Sequence, residues 1–197
     1  MQRGINILKK EYEGREVEYN NLAKKVTLLY ANSRNEYSQK EIGEELNITT
    51  SAVRKLMDYA IITDLVTLKE AEKVLNKSIL NQQKEHSNAG GSSIKYHKKL
   101  IKKRFQYIAN SYEPIAIMEV IDDVLYRADG FKQTMKRFNI ESEWVLRYLL
   151  QRAIVENICS DKETDELVRR SFKNNQSEQA RKFFLKLVQE RIKNKKK

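Results

Sequence analysis

Thr50, Ser51, Arg54 and Lys55 combine residue types and spacing suited to binding chemistry. Positions i, i+1, i+4 and i+5 lie on one face of a helix. Hydroxyl groups both donate and accept hydrogen bonds, and guanidinium and ammonium groups attract negative charge. The pattern therefore predicts a helical face that binds a polar, anionic partner.

Two short helices joined by a tight turn are predicted to position this face, at residues 39–46 and 50–61. Apolar residues recur at helical spacing on their inward sides: Ile42, Leu46, Val53 and Leu56. Gly43 leaves room where the second helix crosses the first closely. The polar face of the second helix then points outward.

The turn between these helices contains residues suited to their positions. Asn47 occupies the point where the chain requires a left-handed conformation, which Asn tolerates better than most residues. Thr49 can cap the second helix, and Ser38 with Glu41 matches a capping box at the start of the first. The capping and turn residues and the helical periodicity therefore predict the same two helices.

Residues 39–56 resemble the helix-turn-helix superfamily, in which Gln-x-x-Ile-[Ala/Gly]-x-x-Leu-[Gly/Asn]-Ile-[Ser/Thr]-x-x-x-Val-x-x-Leu recurs among bacterial and phage regulators and sigma factors. The resemblance covers about a tenth of the chain. It implies binding of double-stranded DNA, with Ser38 and Gln39 at phosphates. It also implies that four side chains enter the major groove: Thr50, Ser51, Arg54 and Lys55.

A second copy of the pattern occurs about ninety residues later. The corresponding residues are, in order, Asn47-Ile48 and Asn139-Ile140, Arg54 and Arg147, and Ala60-Ile61 and Ala153-Ile154. The register shifts by one residue inside the turn. The repeat predicts two related helical modules, although Lys-, Glu- and Leu-rich helices can also resemble one another through composition alone.

The second copy differs from the first in its outward face. Glu143 places a carboxylate where DNA phosphates would repel it, and Trp144 makes the helix more apolar. Arg147, Tyr148 and Gln151 suit either DNA contacts or protein contacts. We therefore leave open whether the second module binds DNA or forms a dimer.

Residues 85–93 gather Gly, Ser and Asn without a large apolar side chain, which is typical of a flexible connector. This segment predicts a first domain at residues 1–84 and a second at residues 94–197.

A basic helix is predicted directly after the connector, at residues 94–111. Its basic residues are candidates for phosphate contacts: Lys95, Lys98, Lys99, Lys102, Lys103 and Arg104. The alternative is that they form a merely solvated face. Its apolar stripe is expected to pack against the second module.

Residues 177–192 predict an amphipathic C-terminal helix, followed by a basic tail at residues 194–197. The apolar face of this helix is expected either to pack on its own module or to pair with a second copy of the chain. A homodimer through this helix or through the second module is therefore a candidate assembly.

Composition narrows the classes of function. Lys and Arg outnumber Asp and Glu by 38 to 27, and the formal charge of +11 favours a polyanionic partner. A single Cys, Cys159, and two histidines, His86 and His97, offer little material for a disulfide framework or a metal site. We expect an all-α, cytoplasmic protein that uses no cofactor, is not an enzyme and does not enter a membrane.

These patterns favour a sequence-specific DNA-binding protein, either a transcriptional regulator or an accessory factor of a mobile element. The tandem motifs in a small, basic chain resemble accessory proteins of bacterial plasmids, conjugative elements or phages. The alternative is an assembly or recruitment protein for plasmid transfer, replication or phage packaging, in which the second module contacts other proteins.

Overall fold

The computed structural model describes residues 13–32, 37–85, 90–127, 130–174 and 178–195. Ten α-helices and no strands form this described part of the chain, which confirms the predicted all-α fold. Helix bounds lie close to those expected from periodicity. No described helix combines the length and the apolar character needed to cross a membrane.

The helices, numbered in chain order, are α1 (Glu16–Asn32), α2 (Gln39–Glu45), α3 (Thr50–Ile62), α4 (Leu68–Glu85), α5 (Gly90–Asn110), α6 (Pro114–Tyr126), α7 (Phe131–Arg137), α8 (Glu143–Val155), α9 (Asp161–Asn174) and α10 (Glu178–Lys195). The predicted helix-turn-helix corresponds to α2 and α3, and its second copy corresponds to α7 and α8.

The chain forms two compact units, and the division falls between Tyr107 and Ile108, inside α5. It therefore differs from the predicted domain boundary at residues 85–93. Within that predicted connector, Gly90–Ser93 already belong to α5, whereas residues 86–89 lie outside the described part of the chain. Most of the basic helix consequently belongs to the first unit rather than the second.

Helices α1, α3 and α4 supply most of the core of the first unit: Tyr19, Ala23, Val26, Tyr30, Val53, Leu56, Ala60, Ile61, Ala71 and Val74. Each helix contributes residues three or four positions apart, so one stripe of each is removed from water. Leu100 of α5 lies in the same core, and Ile101 packs against it. The prediction that the apolar stripe of α5 packs against the second module was wrong for these two residues.

Arg104 joins α5 to the segment that follows α3. Its side chain is 0% exposed, and its guanidinium donates to the carbonyl oxygens of Ile61 and Val66 at 3.0 and 2.8 Å and to the Asp64 carboxylate. These bonds satisfy carbonyl groups at and beyond the helix end. The prediction that Arg104 contacts DNA phosphate is therefore corrected, because this buried guanidinium is committed to the fold.

The second unit has a corresponding arrangement. Its core is formed by residues of α6, α8, α9 and α10: Ile117, Val120, Ile121, Leu125, Val145, Leu146, Leu149, Ile154, Leu167 and Leu187. Arg191 of α10 is buried and donates to the carbonyl oxygens of Ile154 and Cys159 at 3.0 and 2.7 Å. It also pairs with Asp161 at 2.9 Å. Helix α10 thus packs on its own unit.

The segment after the third helix of each unit has the same conformation. Asp64 and Asn157 both adopt the left-handed region, with φ of 61° and 59°. The next helix begins in each case with a hydroxyl residue that exchanges hydrogen bonds with a glutamate three residues later: Thr67 with Glu70, and Ser160 with Glu163. The two units share these details and a buried arginine; that they are related modules stays a prediction.

Candidate nucleic-acid interface

The start of α2 is fixed by the predicted capping box. The Ser38 N–H donates to Glu41 Oε2 at 2.6 Å, and the Glu41 N–H donates to Ser38 Oγ at 3.2 Å. The hydrogen bonds from Ser38 lower the pKa of Glu41. Ser38 and Gln39, the two predicted phosphate contacts, are exposed and half-buried respectively. They therefore lie at an ordered helix start, where backbone N–H groups favour anions.

The turn into α3 has the predicted geometry. Asn47 is left-handed with φ of 52°, and the Ile48 N–H donates to the Gly43 carbonyl at 2.8 Å. Thr49 Oγ1 accepts from the Ala52 N–H at 3.2 Å and so caps α3. A Cβ atom at Gly43 would lie only 2.6 Å from the Ile48 carbonyl oxygen. Glycine is consequently required here by the close approach of the turn.

Gly43→Ala is expected to destabilise the first unit by about 1–3 kcal/mol, because the turn must move away from the added methyl group. This figure is the net change after the roughly 0.5–1 kcal/mol by which Ala is favoured over Gly inside a helix. Glu44→Ala is the matched control, since Glu44 is exposed and forms only a 3.7 Å ion pair with Lys40. Urea unfolding compares the two variants; equal stability for both would contradict the prediction.

The outward face of α3 exposes three of the four predicted groove-facing residues. Thr50, Ser51 and Arg54 are exposed, and Lys55 is half-buried. The opposite face carries Val53, which is fully buried. The turn and the core therefore hold α3 by its buried face, and its polar side chains remain accessible to solvent.

Tyr96 and Asp58 lie beside this face and were not among the predicted site residues. The Tyr96 hydroxyl donates to Asp58 Oδ2, and the Arg54 guanidinium carbon lies 5.3 Å from the centre of the Tyr96 ring. Burial raises the pKa of Asp58, whereas the Tyr96 hydrogen bond and the charges of Arg54 and Lys103 act in the opposite direction. The i, i+4 spacing of Arg54 and Asp58 was the available sequence clue, but the partner from α5 had none.

The lysines of α5 belong to the same unit as the helix-turn-helix. The predicted phosphate-contacting lysines are all exposed: Lys95, Lys98, Lys99, Lys102 and Lys103. Lys103 acts electrostatically on Asp58 of α3, so this part of α5 lies near α3. Lys103 therefore adds positive charge beside α3.

The corresponding face in the second unit has a different chemistry. The Arg147 guanidinium donates twice to Glu143 Oε1, at 3.0 and 2.6 Å, and lies 5.7 Å from the Trp144 ring centre. The Trp144 side chain itself is 59% exposed. Tyr148 and Gln151 are half-buried. The Arg147 charge on this face is thus already paired, and the face carries an exposed aromatic side chain.

The two units therefore place different groups on corresponding helices. The turn in the second unit contains the predicted additional residue, Glu141, between Ile140 and the cap Ser142. No protein family, curated protein or solved structure matches this chain.

Proposed function

We propose that this protein binds double-stranded DNA in a sequence-specific manner, with α3 in the major groove. The observation that carries this proposal is the set of exposed polar side chains, Thr50, Ser51 and Arg54, on a helix held by a tight, capped turn. A helix fits the major groove of B-DNA, where each base pair has a distinct pattern of donors and acceptors. Lys55 adds a cation to the same face.

The contacts divide into two kinds in this proposal. Arg54 reads a base edge, since a guanidinium can donate twice to guanine. Ser38, Gln39 and the exposed lysines of α5 contact phosphates, which position the protein without reading sequence. The net charge of +11 supports attraction to the DNA backbone.

The biological role that we propose is regulation of transcription or an accessory function for a plasmid, conjugative element or phage. No cofactor is needed for such binding. A homodimer formed through the second unit would present two reading helices to two half-sites. We place this activity in the cytoplasm, where the DNA of such elements is found.

Selection from random duplex DNA at about 150 mM salt, followed by footprinting, tests the proposal. The expected result is an enriched sequence and a defined protected site, because phosphate attraction alone weakens steeply as salt rises. Two half-sites with a fixed separation would additionally support the homodimer. Binding without any sequence preference would overturn the proposed readout.

The α5 lysines are expected to govern the salt dependence of binding. Lys98→Gln with Lys102→Gln should reduce the slope of log K against log salt by about 1–2, since each phosphate contact contributes roughly 0.9. The loss of affinity should be similar for specific and random DNA. Titrations at several salt concentrations measure both quantities.

The control for these lysines makes the same change of charge elsewhere on the first unit. Lys24→Gln with Lys25→Gln removes two exposed cations from α1. We expect the slope of this variant to stay near that of the unaltered protein. Equal slopes for the α5 and α1 variants would show that general charge, rather than contact by α5, determines affinity.

A second candidate function is recruitment, in which the second unit binds another protein while the first engages DNA. The exposed Trp144 ring and the pairing of Arg147 with Glu143 favour this possibility, because aromatic side chains are enriched at protein interfaces. Footprinting separates the two functions. A protein that captures partners but selects no DNA sequence would be a recruitment factor.

A further inference from the structure

Arg54 and Asp58 lie one helical turn apart on α3, and Tyr96 of α5 contacts both of them. The flat guanidinium of Arg54 lies over the Tyr96 ring at 5.3 Å, and the Tyr96 hydroxyl donates to the Asp58 carboxylate. Burial and the hydrogen bond to Asp58 raise the pKa of Tyr96, so the hydroxyl keeps its proton. One side chain from another helix therefore engages an arginine and a carboxylate on the reading helix.

A carboxylate one turn from an arginine can occupy the N–H edge of its guanidinium. Two pairs at α8 and its C-terminal cap do so: Arg147 with Glu143, and Arg152 with Glu156 at 2.8 Å. The second pair has the same order as Arg54 and Asp58, with the arginine first. A guanidinium held in this way is less able to make a bidentate contact with a base.

Tyr96 offers both groups a different partner. Its hydroxyl donates to the Asp58 carboxylate, and the Arg54 guanidinium lies over its ring and hydrogen-bonds to its hydroxyl oxygen. A guanidinium has five N–H donors, so contact with a single tyrosine leaves donors available for guanine. The charge of Lys103 near Asp58 further offsets a carboxylate that would otherwise repel phosphate.

We propose that Tyr96 is a positioning residue for DNA readout, which keeps Asp58 away from Arg54 and holds Arg54 with its remaining N–H donors directed to a base. This inference rests on the proposed DNA-binding function. It assigns a role in specificity to α5, in addition to the phosphate contacts of its lysines. Tyr96 acts through Arg54 and is 37% exposed beside it.

Four variants of the full chain test this role: Tyr96→Phe and Tyr96→Leu, each alone and each combined with Asp58→Asn. The measured quantity is the ratio of Kd for random DNA to Kd for the selected site, at one salt concentration. Tyr96→Phe keeps the ring but frees the Asp58 carboxylate, and we expect the ratio to fall by roughly tenfold. Adding Asp58→Asn to Tyr96→Phe should restore the ratio to within about twofold, because the competing charge is gone.

A role in packing alone predicts a different pattern. Phe fills nearly the same volume as Tyr, so a packing residue would give Tyr96→Phe an unchanged ratio. An unchanged ratio for Tyr96→Phe, or a reduced ratio that Asp58→Asn does not restore, would overturn the inference. Tyr96→Leu removes the supporting ring, and its ratio is expected to stay low even with Asp58→Asn. Circular dichroism confirms that each variant remains folded.

The experiment also separates this inference from the function on which it rests. An unaltered protein with no preference between the selected site and random DNA would overturn the proposed function itself. A preference that depends on Arg54 but is unaffected by Tyr96→Phe would leave the proposed function in place and overturn only the role of Tyr96.

Discussion

Replacing Arg104 with Met is expected to lower the free energy of unfolding of the first unit by about 2–4 kcal/mol, because two carbonyl groups lose their donor. Methionine fills much of the space of the arginine stem but cannot donate to the carbonyl oxygens of Ile61 and Val66 or pair with Asp64. These carbonyl groups cannot be removed by substitution, so they would lose their partners in a largely buried site. The loss should therefore exceed that of a typical surface ion pair.

Amide hydrogen exchange, detected by mass spectrometry, measures the loss of stability in each segment of the chain. A chain with two compact units does not guarantee a single unfolding transition, and exchange reports each segment separately. Residues 61–66 should lose the most protection in Arg104→Met. Arg191→Met should act in the same way on residues 154–159, because Arg191 donates to the carbonyl oxygens of Ile154 and Cys159.

Lys103→Met is the matched control, since Lys103 is the exposed neighbour of Arg104 on α5. Both variants replace a basic side chain with methionine, but only Arg104→Met removes a buried guanidinium. We expect Lys103→Met to change the free energy of unfolding by no more than about 0.5 kcal/mol. Equal protection of residues 61–66 in both variants would mean that the buried guanidinium contributes little. The packing of α5 on the first unit would then depend on Leu100 and its apolar neighbours.

Local features of the fold could be predicted from sequence because nearby residues determine them. Helical periodicity located α2 and α3, and the Ser38–Glu41 pair located a helix start. Asn47 identified a left-handed turn, and Gly43 identified a close approach. Each of these features depends on contacts within about six residues, so the pattern of residue types was sufficient.

The position of α5 could not be predicted in the same way. Gly, Ser and Asn at residues 85–93 are typical of a connector, yet Gly90–Ser93 are helical. Leu100 and Ile101 of α5 pack in the core of the first unit. Tertiary contacts of Leu100 and Arg104 override the low helix propensity of that segment. The residue types at 85–93 do not predict the contacts of Leu100 and Arg104.

The basic residues of α5 show why charge alone was ambiguous. Arg104 and Lys103 are neighbours in the same basic run, but one is buried and the other is exposed. The sequence also did not show that Arg104 and Arg191 have equivalent roles. Both donate to corresponding carbonyl groups, but the sequence spacing between the arginines differs from the spacing between those carbonyl groups. Only the hydrogen bonds with Ile61 and Ile154 reveal it.

Arg54→Ala with Lys55→Ala is expected to remove the preference of the protein for its selected DNA site. A bidentate contact between arginine and guanine contributes about 1–3 kcal/mol of discrimination, so the ratio of affinities should fall by roughly tenfold to a hundredfold from the loss of Arg54 alone. Affinity for random DNA should fall much less, because the α5 lysines remain. Competition between labelled site and random duplex at fixed salt measures the ratio.

Two controls make this result interpretable. Lys98→Gln with Lys102→Gln also removes two positive charges, but it should weaken both DNAs alike and leave the ratio unchanged. Arg147→Ala with Tyr148→Ala changes the corresponding face of α8, where Arg147 is already paired with Glu143. A ratio lost in the α8 variant and retained in the α3 variant would assign the reading helix to the second unit. A ratio retained in both would show that neither helix reads the sequence, because removal of a base contact must reduce discrimination.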